Sequence, residues 1–149
     1  MSVKGYVNTI GGQDELVFDG GSCCVDEQGQ LKVLAPYWQA GLMPVQLLQT
    51  SAERWEPQAG EIEPEVMPEE SLYCALVTGL RDYVNKSGFK GVVLGLSGGI
   101  DSAVVTCLAA EALGPENIKV LMMPSRFSSE GSVSDSVRLV ENLGIPSEI

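Results

Sequence analysis

Residues 97–102 read Ser-Gly-Gly-Ile-Asp-Ser and bring two glycines, two hydroxyls and one carboxylate together within six positions. Gly98 and Gly99 lack a Cβ, so the backbone there can turn sharply and let an anion approach its N–H groups. Ser97 and Ser102 can add hydroxyl donors. A helix that starts just after the glycines would also point its positive end at the same place. This combination predicts a loop that binds phosphate.

Asp101 is the residue that a simple phosphate loop does not explain, because its carboxylate would repel a bare phosphate. A Mg²⁺ ion between carboxylate and phosphate would remove that repulsion. A simpler interpretation is a serine cap with an acid in the first helical turn, which stabilises any helix by about 1 kcal/mol. It leaves the two glycines unexplained. The loop also lacks the lysine of G-x-x-x-x-G-K-[ST] and does not match G-x-G-x-x-G.

The segments around the loop alternate between strand and helix patterns, and Ile145 is placed to begin a further strand. In chain order the patterned segments are 91–97 (strand), 101–114 (helix), 118–124 (strand) and 132–144 (helix). This alternation predicts an α/β fold with a parallel sheet and right-handed crossovers. Ligands of such sheets bind beyond the carboxyl ends of the strands. The loops at 97–99 and 124–132 both fall there.

The residues before the loop show three different patterns. Residues 1–50 are typical of short strands and turns, with a hairpin turn predicted at Gln28 and Gly29. Residues 51–67 carry prolines, a glycine and many glutamates without a clear period, which predicts an acidic linker. A helix is predicted from Pro68, with Gly88 where a C-cap belongs.

The overall charge excludes several classes of partner. The 149 residues include 9 basic and 20 acidic side chains, for a net charge of −11. This charge argues against nonspecific nucleic-acid binding and against docking on an anionic membrane. No apolar run approaches the roughly 20 residues of a transmembrane span, and no signal peptide opens the chain.

Cysteine and histidine content limits the possible chemistry further. The four cysteines have no C-x-x-C spacing and the chain has no histidine, which argues against a zinc site in this sequence. The missing histidine also excludes a Ser-His or Cys-His dyad within the chain. Reduced thiols and a cytoplasmic location are the expectation.

The loop matches the S-G-G-x-D-S motif of the N-type ATP pyrophosphatases, which split ATP between its α- and β-phosphates. The wider segments at 79–103 and 112–132 closely resemble the glutamine-dependent NAD synthetases. The stretch GGQDELVFDGGS at 11–22 resembles the late part of the nitrilase-like glutaminase domain of that family. Two separate motifs in the right order make the resemblance specific.

The resemblance implies a fragment that joins two domains. Residues 1–50 would be a β-rich C-terminal piece of a nitrilase-like αββα glutaminase domain, 51–67 the acidic linker, and 68–149 the start of a Rossmann-like synthetase domain of the adenine nucleotide alpha hydrolase-like type. No position matches the Glu-Lys-Cys triad of the glutaminase. Cys23 and Cys24 are therefore expected to be packing residues.

The resemblance also implies an activity. The family is a ligase that activates the nicotinate carboxylate of deamido-NAD with ATP, releases pyrophosphate, and then displaces AMP with ammonia drawn from glutamine. The complete enzyme would be a cytoplasmic homo-oligomer using ATP and Mg²⁺, and the fragment alone would be inactive. Two alternatives stay open: another N-type ATP pyrophosphatase, of the GMP synthetase or tRNA-thiolation kind, and a non-catalytic nucleotide-binding fragment.

Carried over position by position, the resemblance assigns Asp101 to Mg²⁺. It assigns the strand end at Met122, Met123 and Pro124 to the adenine, partly through backbone groups. Strand packing is an equally good explanation for the two methionines at 122 and 123, and Arg126 could simply be solvated. The residues implied to bind ATP are Ser97, Gly98, Gly99, Ile100, Asp101, Ser102, Met123, Pro124, Arg126, Ser128 and Ser129.

Overall fold

The structure, a computed structural model, describes residues 3–52, 54–124 and 130–149. The chain divides into two compact units, which we call the β unit (residues 1–11 and 16–75) and the α/β unit (residues 12–15 and 76–149). No helix within the described residues is both long and apolar enough to cross a membrane.

The first third of the chain forms short strands. Their order is β1 (Lys4–Tyr6), β2 (Ile10–Gln13), β3 (Leu16–Asp19), β4 (Cys23–Val25), β5 (Leu31–Leu34), β6 (Leu47–Ser51) and β7 (Arg54–Pro57). Strands β1, β4 and β5 make one antiparallel sheet, β6 and β7 make an antiparallel hairpin, and β2 pairs with β3. The strands expected within residues 1–50 are thereby confirmed.

The turn between β4 and β5 is built by one aspartate. The Asp26 carboxylate accepts hydrogen bonds from the N–H groups of Gln28 and Gln30, at 3.0 and 2.8 Å. Gly29 supplies the left-handed conformation of the turn, with φ of +80°. The Gln30 N–H and the nearby Lys32 ammonium hold the pKa of Asp26 below its ordinary value, against partial burial. The predicted hairpin turn is confirmed.

The segment expected to be an acidic linker contains regular structure. Strand β7 lies inside residues 51–67. Further along, the Gly60 N–H donates to the Lys32 carbonyl, and the Leu34 N–H donates to the Glu61 carbonyl, each at 3.0 Å. Because these bonds use only backbone groups, they could not be predicted from the pattern of side chains. The predicted acidic linker at 51–67 therefore contains a strand and backbone hydrogen bonds, and its boundaries at 50, 67 and 68 stay a prediction.

The rest of the chain follows the predicted order of elements. These are α1 (Pro68–Lys86), β8 (Val92–Leu96), α2 (Ile100–Leu113), a short 3₁₀ turn (Pro115–Asn117), β9 (Ile118–Met122), α3 (Glu130–Leu143) and β10 (Ser147–Glu148). The three strands form a sheet of order β10-β9-β8, and both pairings are parallel. The parallel α/β sheet predicted from the alternation is confirmed.

Helix α1 shows why its ends could be placed from sequence. It begins at Pro68, whose missing N–H costs nothing in a first turn, and it has Glu69 and Glu70 near its positive end. Lys86 lies in the last turn. Gly88 follows with φ of +75°, the left-handed conformation that ends many helices.

The core of the α/β unit covers one face of the sheet. Val120 is fully buried at its centre, whereas Val93, whose side chain points to the opposite face, is 62% exposed. Leu96 and Met122 end their strands as buried residues, and they pair in register as the last step of the β8–β9 ladder. Burial of each such side chain stabilises the fold by about 1.5–3 kcal/mol. Both strand ends are therefore anchored immediately before the loops that follow them.

A polar contact within the α/β unit joins α1 to the end of β2. The Asp82 carboxylate accepts the Gly12 N–H at 2.9 Å, and the Lys86 ammonium lies 3.1 Å from the same oxygen. Lys86 also donates to the Gly12 carbonyl. Partial burial works against the charged carboxylate, but the Gly12 N–H, Lys86 and Arg81 together hold the pKa of Asp82 below its ordinary value.

This contact predicts a pH-dependent stability. A carboxyl group with a lowered pKa in the folded state stabilises the fold above its unfolded pKa of about 3.9, and loses that contribution as pH falls through the folded value. We expect Asp82→Asn to destabilise the protein by about 1–2 kcal/mol at pH 7. Because the variant has no carboxyl group at position 82, its stability should also fall less between pH 7 and acid than that of the unmodified chain. Thermal melts between pH 2.5 and 7 measure this, with exposed Asp135→Asn as control. Parallel curves for Asp82→Asn and the unmodified chain would contradict it.

Candidate functional site

The loop at 97–102 leaves the N-terminus of α2 open. Helix α2 begins at Ile100 with Gly99 as its N-cap, and no side chain caps it. The serine cap considered above is therefore absent from this helix. Gly98 takes φ of +82°, which a residue with a side chain rarely adopts. The first N–H groups of the helix and the positive end of its dipole thus face the loop, an arrangement that binds anions.

Hydroxyl groups hold the loop in shape. Ser102 Oγ accepts the Ser97 N–H at 3.2 Å, donates to the Gly99 carbonyl at 3.0 Å, and shares a hydrogen bond with Ser97 Oγ at 3.1 Å. Below it, the buried Thr106 hydroxyl donates to the Ser102 carbonyl at 2.8 Å. The structure thereby brings together the two serines predicted to bind phosphate. Their hydrogen bonds also stabilise the shape of the loop. A loop shaped in advance loses less conformational entropy when a ligand binds.

Asp101 and Ile100 lie exposed in the first turn of α2. Within residues 3–52, 54–124 and 130–149, no group of three or more His, Cys, Asp or Glu side chains could hold a metal ion. A single exposed carboxylate fits Mg²⁺ in particular, because this ion keeps several waters and takes most of its ligands from substrate phosphates. Asp101 therefore fits a cation that arrives with a phosphate ligand.

A small cavity of about 90 Å³ lies beside the loop, between the ends of β8 and β9 and the first turns of α3. The two methionines that sequence alone could not distinguish both line it, but they differ in burial. Met122 is 5% exposed and belongs to the core, whereas Met123 is 77% exposed beyond the strand end. Strand packing therefore explains Met122, and Met123 and Pro124 are free to contact a ligand. The cavity lining is Leu96, Ser97, Met122, Met123, Pro124, Ser132, Val133 and Ser136.

Three of the predicted site residues, Arg126, Ser128 and Ser129, lie outside the described residues. Two residues that the sequence analysis did not single out, Ser132 and Ser136, line the cavity from α3. Ser136 is buried although its side chain is polar, and α3 is an amphipathic helix. A signal was present: Ser136 lies at helical spacing between Val133 and Val140, on the apolar side of the helix.

The two adjacent cysteines lie on β4. Cys24 is buried, and its burial together with neighbouring Cys23 raises the pKa of its thiol. A raised pKa disfavours the thiolate that a nucleophile needs. All four cysteines of the chain are free thiols in the structure.

Comparison with known proteins places this loop in a family. The family model described as NAD synthase matches residues 72–149. The chain belongs to the NAD synthase family. The segment that matches the NAD synthase model contains the loop, the open end of α2 and the whole cavity lining.

Similar proteins extend the likeness to the β unit. The chain is 41% and 43% identical to the glutamine-dependent NAD(+) synthetases of Thermotoga maritima and Aquifex aeolicus, over 94% of its own length in both cases. It spans only 29% and 30% of those two proteins. A solved structure of glutamine-dependent NAD+ synthetase from Acinetobacter baumannii in complex with ADP has a TM-score of 0.87 and 36% identity. That match covers 97% of this chain and 27% of the other.

Proposed function

We propose that this chain supplies the ATP-binding loop of a glutamine-dependent NAD synthetase that converts deamido-NAD to NAD. The observation that carries the proposal is the uncapped N-terminus of α2 behind two glycines, inside the segment that matches NAD synthase. The bound ADP of the Acinetobacter baumannii protein supports an adenine nucleotide as the ligand. The chain spans about a third or less of its relatives, so the activity is assigned to a full-length synthetase.

The loop would bind the pyrophosphate part of ATP through two kinds of donor. The N–H groups around Gly98, Gly99 and Ile100 lie at the positive end of α2, where an anion is stabilised. The hydroxyls of Ser97 and Ser102 lie 3.1 Å apart. Each carries one proton, so each would bind a phosphate oxygen by turning that proton away from its partner within the loop. Because these groups are already in place, they can stabilise charge that develops on the departing pyrophosphate.

Asp101 would ligate Mg²⁺ at the same end of the helix. Bound Mg²⁺ supplies positive charge that neutralises the leaving pyrophosphate. The exposed Asp101 carboxylate supports this role, since it can reach a metal bound to phosphates without leaving the first turn of α2. Met123 and Pro124 would lie against the adenine, and Arg126, Ser128 and Ser129 over the nucleotide.

The proposed reaction has two steps. A carboxylate oxygen of deamido-NAD attacks the α-phosphorus of ATP, and the bond from that phosphorus to the bridging oxygen of the β-phosphate breaks, which releases pyrophosphate. Ammonia then attacks the activated carboxyl carbon, AMP leaves, and a proton is released. The loop acts in the first step, where it holds the leaving group.

Ammonia would come from glutamine, but none of this chain's cysteines is assigned to that step. The buried position and raised pKa of Cys24 support a packing role. We further propose a cytoplasmic location, which the free thiols support. Assembly as a homo-oligomer is also proposed, on the family resemblance alone.

Product analysis tests the proposal. A full-length synthetase carrying this sequence, given ATP, Mg²⁺, deamido-NAD and ammonia, is expected to form NAD, AMP and pyrophosphate in equal amounts. With xanthosine monophosphate or tRNA as acceptor, no AMP should form. AMP formed with either of those acceptors would favour a GMP synthetase-like or thiolation enzyme. Binding of ATP with no AMP release would favour a non-catalytic module.

A further inference from the structure

The phosphate-binding loop is supported from outside by helix α3. A Cβ built on Gly98 would lie 2.4 Å from the Ser132 carbonyl oxygen and 2.6 Å from the Ser132 Cβ. Real Cβ atoms essentially never come so close to another backbone, so the first turn of α3 touches the loop backbone directly. Gly98 is therefore required by this contact as well as by its φ of +82°.

The Ser132 carbonyl is in turn held by a buried hydroxyl. Ser136 Oγ donates to it at 2.9 Å, and Ser136 is 3% exposed. A serine that bonds the carbonyl four residues earlier draws that carbonyl outward and bends the helix locally. The carbonyl drawn by Ser136 is the one that approaches Gly98.

Helix α2, which follows the loop directly, contains the same type of hydrogen bond. Buried Thr106 donates to the Ser102 carbonyl four residues earlier, at 2.8 Å. The first turns of the two helices beside the loop are thus each held by one buried hydroxyl. Ser136 also lines the cavity that Ser97 lines from the loop side.

We propose that Ser136 is a positioning residue for the phosphate-binding loop. By fixing the Ser132 carbonyl against Gly98, it keeps the loop N–H groups directed at the bound nucleotide. This inference rests on the proposed ATP-binding function of the loop. Helix α3 would then contribute to ATP affinity through its contact with the loop backbone, without contacting ATP itself.

Steady-state kinetics in the full-length synthetase, with ammonia as the nitrogen donor, test the consequence. Ser136→Ala is expected to raise KM for ATP about five- to tenfold, as expected for loss of one buried hydrogen bond, with kcat within about twofold. Ser136→Thr keeps the hydroxyl and should restore most of the affinity. Ser134→Ala, the same change at an exposed position of α3, is the matched control and should leave KM unchanged.

Amide hydrogen exchange without nucleotide provides a readout independent of ATP. Exchange over residues 92–103 is expected to be about tenfold faster in Ser136→Ala and unchanged in Ser134→Ala. In a Gly98→Ala background, the effect of Ser136→Ala on exchange should disappear, because the contact it acts through is already disrupted.

The outcomes separate the two proposals. A lower melting temperature for Ser136→Ala with unchanged KM and unchanged loop exchange would overturn the positioning role and leave ATP binding intact. Equal effects of Ser136→Ala and Ser134→Ala would overturn it too. Faster loop exchange in Ser136→Ala, in a protein whose unmodified form binds no ATP, would support the contact and refute the ATP-binding function.

Discussion

Asp101→Asn is expected to lower ATP-dependent pyrophosphate release by about 100- to 1000-fold in the full-length synthetase while the fold survives. The residue is exposed in the first turn of α2, and that helix has no side-chain cap. The change therefore removes little from the fold. It does remove a hard anionic oxygen ligand, which a neutral amide replaces poorly for Mg²⁺.

Pyrophosphate release with ammonia as nitrogen donor measures this effect, because ammonia bypasses glutamine hydrolysis. A thermal melt run beside it shows whether the fold is intact. Glu111→Gln is a matched control, since Glu111 is an exposed acid on the same helix but near its other end. Near-normal turnover in Asp101→Asn would exclude the metal-ligand role, and equal losses in the two variants would point to net charge instead.

Gly98→Ala is expected to destabilise the protein by about 3 kcal/mol and to abolish measurable ATP turnover. Two effects add: a side chain at φ of +82° is strained, and its Cβ would clash with the Ser132 backbone at 2.4 Å. Backbone atoms cannot rotate aside as a flexible side chain can. The first turn of α3 or the loop must therefore move, and either shift would disturb the proposed phosphate site.

Gly88→Ala separates the two contributions. Gly88 has φ of +75°, but a Cβ there would meet nothing within 4 Å. Its replacement should cost only the backbone strain, about 1 kcal/mol, and leave ATP turnover unchanged. Urea unfolding of both variants gives the comparison. Equal destabilisation by the two substitutions would show that the contact between Gly98 and Ser132 contributes nothing to the fold.

The sequence alone determined the order of the α/β elements. Pro68 and Gly88 bound α1, and Gly114 and Gly144 end α2 and α3, because proline and glycine have conformational preferences that act locally. The two apolar strands before the loops also followed from composition. These local signals delimit the strands and helices, and the alternation of strand and helix predicted the parallel sheet.

The sequence also determined where a phosphate site should be sought, since two glycines and two serines after an apolar strand are typical of an anion-binding turn. It could not decide between a serine cap and an open helix end, because both start from the same residues. It missed strand β7 and the backbone bonds of Gly60 and Glu61 within the acidic segment. Those bonds depend on which strand lies alongside and leave no trace in the side-chain pattern.

Only the tertiary structure revealed that the contact with Ser132 also requires a glycine at position 98. Ser132 lies 34 positions further along the chain, and its carbonyl reaches the loop only because β8 and β9 are adjacent in the sheet. The structure likewise separated Met122, which is buried in the core, from exposed Met123. Sequence patterns report local conformation and burial on average, whereas contacts between distant residues depend on how the folded elements pack together.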